Sequence, residues 1–204
     1  MDRCDAGFQP VEGLESDRAG IKVTALMKRS TSEVQSITPR RPVIGVMGGS
    51  KVNRRALETA RELGRLIALR GWVLLNGGRN KGIMAASAHG AKDAGGTVIG
   101  ILPDTTAAKA SPDLDYVILT GMGDARNVIN VLSSDVVIAC TGGLGTLSEV
   151  MLALKHDKKV ILLGLDPGPE LDRYRKTGLL REAATPADAV EQAAALLAEH
   201  PFQP

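Results

Sequence analysis

The sequence predicts a doubly wound α/β fold built on a mainly parallel sheet. Three observations predict it: short runs that are apolar throughout, helical patterns between them, and glycine-rich segments that follow the runs. Parallel strands need crossover connections, and strands covered on both faces lose the in-out alternation of a half-exposed sheet.

The elements follow in order. Met1 to Arg41 shows no sustained periodicity and scatters Asp, Arg, Ser, Glu and Thr, so residues 1–41 are read as an extension or arm without assigned function. Residues 42–204 are read as one domain, since a chain of this length buries one sizeable core. The first strand is Val43–Met47. After it, Val52, Ala56, Ala60, Leu63 and Ile67 recur at spacings of three and four, which makes a one-sided helix that Gly71 stops. The remaining apolar runs are Trp72–Asn76, Thr97–Leu102, Tyr116–Leu119, Asp135–Cys140 and Lys159–Leu163, each read as a strand covered on both faces. Helices are expected at Gly82–Ala94, Asp124–Ser134, Leu144–His156 and Pro186–Glu199. Asp124 and Thr185 are natural N-caps, and Pro186 suits a first helical position.

Composition narrows the function classes. The chain has 204 residues and a formal net charge of +2, which implies no polyanion partner. Only five aromatic residues occur, so the stacking platforms of single-stranded nucleic-acid binders are missing and no nucleic-acid partner is expected. No apolar run approaches the ~20 residues of a bilayer span, and Met1–Pro10 is too charged for a secretory signal. The expectation is a cytoplasmic protein with no membrane partner. Cys4 and Cys140 stand far apart, and Cys140 ends an apolar run, which favours a buried reduced thiol. His89, His156 and His200 stand alone, so no metal site is expected.

Four glycine-rich segments fall where strands would hand over to helices: Gly48-Gly49-Ser50, Gly77-Gly78-Arg79, Gly121-Met122-Gly123, and Gly142-Gly143-Leu144-Gly145-Thr146. Glycine lets backbone N–H groups approach a ligand, and the following helix N-terminus favours negative charge. A single loop of this kind is as well explained by a tight turn; four at one end of a sheet point to a phosphate-bearing small molecule. Neither G-x-G-x-x-G nor G-x-x-x-x-G-K-[ST] occurs, and Asn76 stands where a ribose-binding acid would end the second strand. Nicotinamide dehydrogenase and P-loop nucleotidase chemistry are therefore disfavoured.

Two side chains are candidates for chemistry. Thr146-x-x-Glu149 matches a capping box at a helix start, yet a glutamate in the first turn beneath an anion loop would have its ionised form favoured and could face a developing cation. Arg126 follows the expected cap Asp124; it is either a surface helical arginine or a cation for the same ligand. Arg79 is a weaker candidate for phosphate contact.

The string Gly77-Gly78-Arg79-Asn80-Lys81-Gly82-Ile83-Met84, with Gly95 to Pro103 and Gly142-Gly143-Leu144-Gly145-Thr146-Leu147-Ser148-Glu149, resembles the LOG-type proteins, once widely labelled lysine decarboxylases. The resemblance spans roughly Val43 to Leu163. It implies a Rossmann-like fold that binds nucleotide-type ligands and, in one branch, a phosphoribohydrolase that cuts the N-glycosidic bond of a nucleoside 5′-monophosphate. In that branch an arginine, followed by lysine, and the glutamate of P-G-G-x-G-T-x-x-E are catalytic. Here Arg126 precedes Glu149 by 23 residues, in keeping with that arrangement. Asn127 stands in place of the lysine, and Thr141 in place of the proline. Asp124-Ala125-Arg126-Asn127 is more similar to a sister branch like the molybdenum-cofactor carrier proteins, which hold a phosphorylated pterin. The resemblance thus implies either a hydrolase with Arg126 and Glu149 as catalytic residues, or a carrier. It implies no required cofactor beyond a bound nucleoside monophosphate or molybdenum cofactor, and a homo-dimer or homo-tetramer. Gly48, Gly49, Ser50, Gly77, Gly78, Arg79, Gly142, Gly143, Leu144, Gly145 and Thr146 are the expected phosphate-binding residues.

Overall fold

The computed structural model describes residues 40–199, so the expected arm lies outside the described residues apart from Arg40 and Arg41. Seven strands form one sheet in the order β4-β3-β2-β1-β5-β6-β7, with every pairing parallel. They are β1 (Val43–Met47), β2 (Val73–Asn76), β3 (Thr97–Leu102), β4 (Tyr116–Leu119), β5 (Val136–Cys140), β6 (Lys159–Leu163) and β7 (Leu180–Ala183). The helices are α1 (Arg54–Leu69), α2 (Gly82–Asp93), α3 (Asn127–Leu132), α4 (Leu144–Lys155), α5 (Asp172–Lys176) and α6 (Pro186–Glu199). The chain winds outward from β1 to β4, then returns to β5 on the other side of β1. That reversal leaves a crevice beyond the carboxyl ends of β1 and β5, where open α/β sheets hold ligands.

Alternate residues of the strands feed two cores. Ile44, Val46, Leu74, Ile138 and Ile161 pack under α1, α2 and α6, whereas Met47, Leu75, Val137, Ala139 and Leu162 face Val131 of α3 and Val150, Ala153 and Leu154 of α4. Helices α1 and α2 approach closely because Gly64 and Gly90 carry no side chain. A Cβ on Gly64 would lie 2.0 Å from the Ser87 carbonyl oxygen, and one on Gly90 would lie 1.9 Å from that of Arg61. Local chemistry sets the helix ends. Asn53 caps α1 by accepting from the Ala56 N–H at 2.9 Å. At α6 Thr185 Oγ1 accepts from the Asp188 N–H at 3.1 Å while Asp188 accepts from the Ala184 N–H at 2.9 Å.

Several expectations need correction. Tyr116–Leu119 is a strand, but it is not covered on both faces: β4 is the sheet edge and all four of its residues are exposed. No helix lies in the β3–β4 connection, so nothing from that crossover shields it. Strand β2 begins one residue after Trp72, whose N–H still bonds to Ile67 O behind α1. Asp135 lies just before β5, and its carboxylate accepts from the Val43 N–H at 2.7 Å. The helix expected at Asp124–Ser134 splits into a 3₁₀ turn, Gly123–Arg126, and α3; Asp124 lies inside the turn and makes no capping bond. Strand β7 and helix α5 are additional elements. No described helix is long and apolar enough to cross a membrane.

Candidate functional site

Three loops interlock at the crevice. The Gly49 N–H donates to Thr141 O at 3.0 Å, which ties the loop after β1 to the loop after β5, and the Ile83 N–H donates to Gly49 O at 3.0 Å, which ties in the start of α2. Only glycine permits this closeness at position 142: a Cβ there would meet Thr146 Oγ1 at 2.1 Å and the Gly49 nitrogen at 3.0 Å. Helix α4 starts at Leu144 with Gly143 as an N-cap that supplies no side-chain bond, so its first-turn N–H groups keep their donor capacity for a ligand.

Beyond this helix start opens a cleft of about 490 Å³. Of the residues expected from sequence, Gly48, Gly49, Ser50, Gly77, Arg79, Arg126, Gly143, Gly145, Thr146 and Glu149 line it. Gly78, Gly142 and Leu144 do not. Gly78 packs against Gly100 and Leu102, Gly142 lies under Thr146, and Leu144 points to solvent with 86% of its surface exposed. Lys51, Lys81, Met84, Asp124 and Asn127 also line the cleft and were not among the expected site residues. Lys51 belongs to no motif, whereas Lys81 and Met84 lie in the Gly77 to Met84 string and Asp124 and Asn127 flank Arg126, where none of the four had been given a ligand-binding role.

Arg126 supplies the strongest anion signal. It is only 9% exposed, and its Nε and Nη1 atoms are buried without a hydrogen-bond partner. The guanidinium lies against Gly77, where a Cβ would sit 2.5 Å from Nη1. Burial lowers its pKa, opposed by the nearby Glu149 carboxyl. A buried cation with idle donors on a cleft wall costs free energy unless an anion occupies the cleft. Arg79 differs. Its guanidinium is gripped bidentately by Asp104 at 2.9–3.0 Å, so its charge is already neutralised and its fork is used.

Glu149 does not cap its helix. Because α4 begins at Leu144, Thr146 is its third residue and Glu149 its sixth, so the capping-box geometry never forms. Its ionised form is not favoured either: burial pushes the carboxyl up to about 7, against the pull of Arg126 and a hydrogen bond from Asn130 Nδ2 at 3.4 Å. Glu149 is 8% exposed, on the cleft wall with Arg126. Near neutral pH it is divided between acid and carboxylate.

Fold and cleft together define a Rossmann-like α/β protein with an anion-favouring crevice at the point where the strand order reverses. The chain belongs to the SLOG cluster4 family, which it matches over residues 41–194. It is similar in structure to the molybdenum cofactor binding protein of Rippkaea orientalis, with 51% identity and a TM-score of 0.74, covering 78% of this chain and 98% of that one. It is also similar to the molybdenum cofactor carrier protein of Chlamydomonas reinhardtii, with 46% identity and a TM-score of 0.71, covering 78% of this chain and 99% of that one. In sequence it is 33% identical over 153 residues to a cytokinin riboside 5′-monophosphate phosphoribohydrolase of Mycobacterium tuberculosis, covering 70% of this chain and 81% of that protein.

Proposed function

We propose that the cleft binds a phosphorylated small molecule and that this chain holds it rather than cleaves it, as a carrier of a molybdenum-cofactor-type pterin phosphate. The observation that carries the anion is Arg126, buried beside the start of α4 with two donors idle. The phosphate lies at the N–H groups of Gly145 and Thr146, and Lys51 and Lys81 at the rim add positive charge. Holding is favoured over cleaving by Asn127, a neutral side chain that follows Arg126 where the hydrolase branch carries lysine. The identities to the two molybdenum cofactor proteins support the same choice.

The second reading is a nucleoside 5′-monophosphate phosphoribohydrolase, favoured by Arg126 and Glu149 sharing one cleft and by the mycobacterial relative. In it, ionised Glu149 would stabilise positive charge on ribose C1′ and O4′ and orient water, while Arg126 positions the substrate. The experiment incubates the parent, Glu149→Gln and Arg126→Ala with AMP and other monophosphates and follows free base and ribose 5-phosphate. Absence of release, with binding of a pterin phosphate that survives Glu149→Gln and falls in Arg126→Ala, is the carrier's expected result. Release by the parent that is lost in both folded variants overturns it in favour of the hydrolase.

The same reading carries an assembly of two or four copies. Leu144 and Met151, seven residues apart on α4, and Leu132 of α3, which packs on α4, are exposed apolar side chains that a contact between copies would cover. Sedimentation at micromolar concentration tests this, with a strict monomer as the contrary result.

A further inference from the structure

Asn130 is the buried polar side chain that the phosphate reading leaves unused. It lies on α3, wholly inaccessible, and its main-chain carbonyl is occupied by Ser134 Oγ at 2.7 Å. Its Nδ2 faces Glu149 Oε1 at 3.4 Å, a long contact, and its Oδ1 is buried with no partner at all. An orphaned buried carbonyl keeps its full desolvation penalty, so an apolar residue would serve packing better. The carboxamide does have one neighbour that changes its needs. A carboxylate only accepts, whereas a carboxylic acid donates as well, and an amide turned by half a rotation about its last bond exchanges donor for acceptor.

We propose that Asn130 is a positioning residue that serves Glu149 in both protonation states, donating through Nδ2 to the carboxylate and accepting through Oδ1 from the acid, so that the carboxyl stays on the cleft wall and anion uptake is linked to proton uptake. The first half of this stands on the α3–α4 geometry alone; the linkage to anions rests on the phosphate reading of the cleft. Arg126 in the turn before α3 favours the ionised form; Lys51, Lys81 and Asp124 line the same cleft, and Arg79 is neutralised by Asp104. A phosphate entering this cleft adds negative charge beside Glu149 and shifts it toward the acid, the state for which Asn130 holds an unused acceptor.

The test is an NMR titration of the ligand-free protein between pH 5 and 9. It follows the Glu149 carboxyl carbon, assigned by its loss in Glu149→Gln, and the Asn130 side-chain NH₂ pair, assigned through its own backbone in the parent. The expected result is a carboxyl midpoint near neutrality and an NH₂ pair that moves with the same midpoint. In Asn130→Leu the carboxylate loses a charge-assisted bond and the acid only a weaker neutral one, so the Glu149 midpoint rises, by about tenfold in proton affinity. An NH₂ pair indifferent to pH in the parent overturns the proposal, and so does a folded Asn130→Leu with an unchanged midpoint. The parent titration stands even if that variant fails to fold. A second arm adds inorganic phosphate, which should move the parent midpoint upward. No movement there overturns the linkage and the phosphate placement, separately from the pairing of Asn130 with Glu149.

Discussion

Replacing Gly77 with alanine should displace Arg126 from the cleft while leaving the fold intact. The new Cβ would sit 2.5 Å from Arg126 Nη1, 2.7 Å from Nη2 and 2.8 Å from Met84 Sδ, each too close to tolerate. All three atoms are ends of flexible side chains, so relief comes from moving the guanidinium and the thioether about 1 Å rather than from distorting backbone, at a stability cost toward the low end of the roughly 1–3 kcal/mol of overpacking. Binding should suffer far more. If Nε and Nη1 each donate to a ligand phosphate, two charge-assisted hydrogen bonds at about 1.5–3 kcal/mol apiece are lost or lengthened, a fall of roughly 10²–10⁴-fold in affinity. Calorimetry with a pterin phosphate and with AMP reads the affinity, and thermal melting reads the fold. Gly143→Ala is the control, because a Cβ there meets nothing within 4 Å and should leave the melting temperature unchanged. A Gly77→Ala protein that melts normally and binds within threefold of the parent would refute the assignment of Arg126 as the anchor.

Further outcomes follow from the same geometry. Gly82→Ala should cost about 2–4 kcal/mol in denaturant unfolding, because φ there is +53° and the Cβ would lie 2.2 Å from the Gly49 backbone oxygen; a loss within experimental error would contradict the loop interlock. Glu149 is held near 7 in the folded protein against an ordinary 4.5, so the folded state binds the extra proton: this group's penalty is nil below about 4.5, grows between there and 7, and reaches roughly 3 kcal/mol above it. Glu149→Gln should therefore be more stable than the parent at pH 8 and no different from it at pH 4.5, and a stability difference independent of pH would sink that account. Cys140, fully buried and pushed up to about 12, should resist alkylation at pH 8 until the protein unfolds, and rapid native labelling of Cys140 would show the β5 core to be open. Met151→Glu should shift an assembled species toward monomer in sedimentation; if the parent assembles and the variant assembles equally well, the α4 face is not the contact.

The fold was legible where strands are buried on both faces. Val43–Met47, Thr97–Leu102 and Lys159–Leu163 are found at the expected bounds because an unbroken apolar run of that length has few other places to go. Strand β7 was hidden for the opposite reason: Leu180-Arg181-Glu182-Ala183 is a sheet edge whose middle residues pair with Glu199 and Arg175 at the surface, so only its ends are apolar. The glycine segments located the crevice, since close approach of β1, α2 and β5 demands the absence of side chains. Roles within the cleft were less visible. The pattern Thr146-x-x-Glu149 reads as a capping box only if Thr146 is the N-cap, and the N-cap is Gly143. Whether an arginine is idle or gripped depends on partners remote in sequence, as Asp104 shows for Arg79 and its absence shows for Arg126. Asn130 looked like any polar residue on a short helix; its burial against Glu149 is a product of α3–α4 packing.

Native mass spectrometry of the protein, purified without added ligand, tests the central claim most directly. The account predicts a bound phosphorylated small molecule of pterin type in the parent and in Glu149→Gln, absent from folded Arg126→Ala. A parent that never carries or binds a phosphorylated compound, or one that converts bound monophosphate to free base and ribose 5-phosphate, would contradict it.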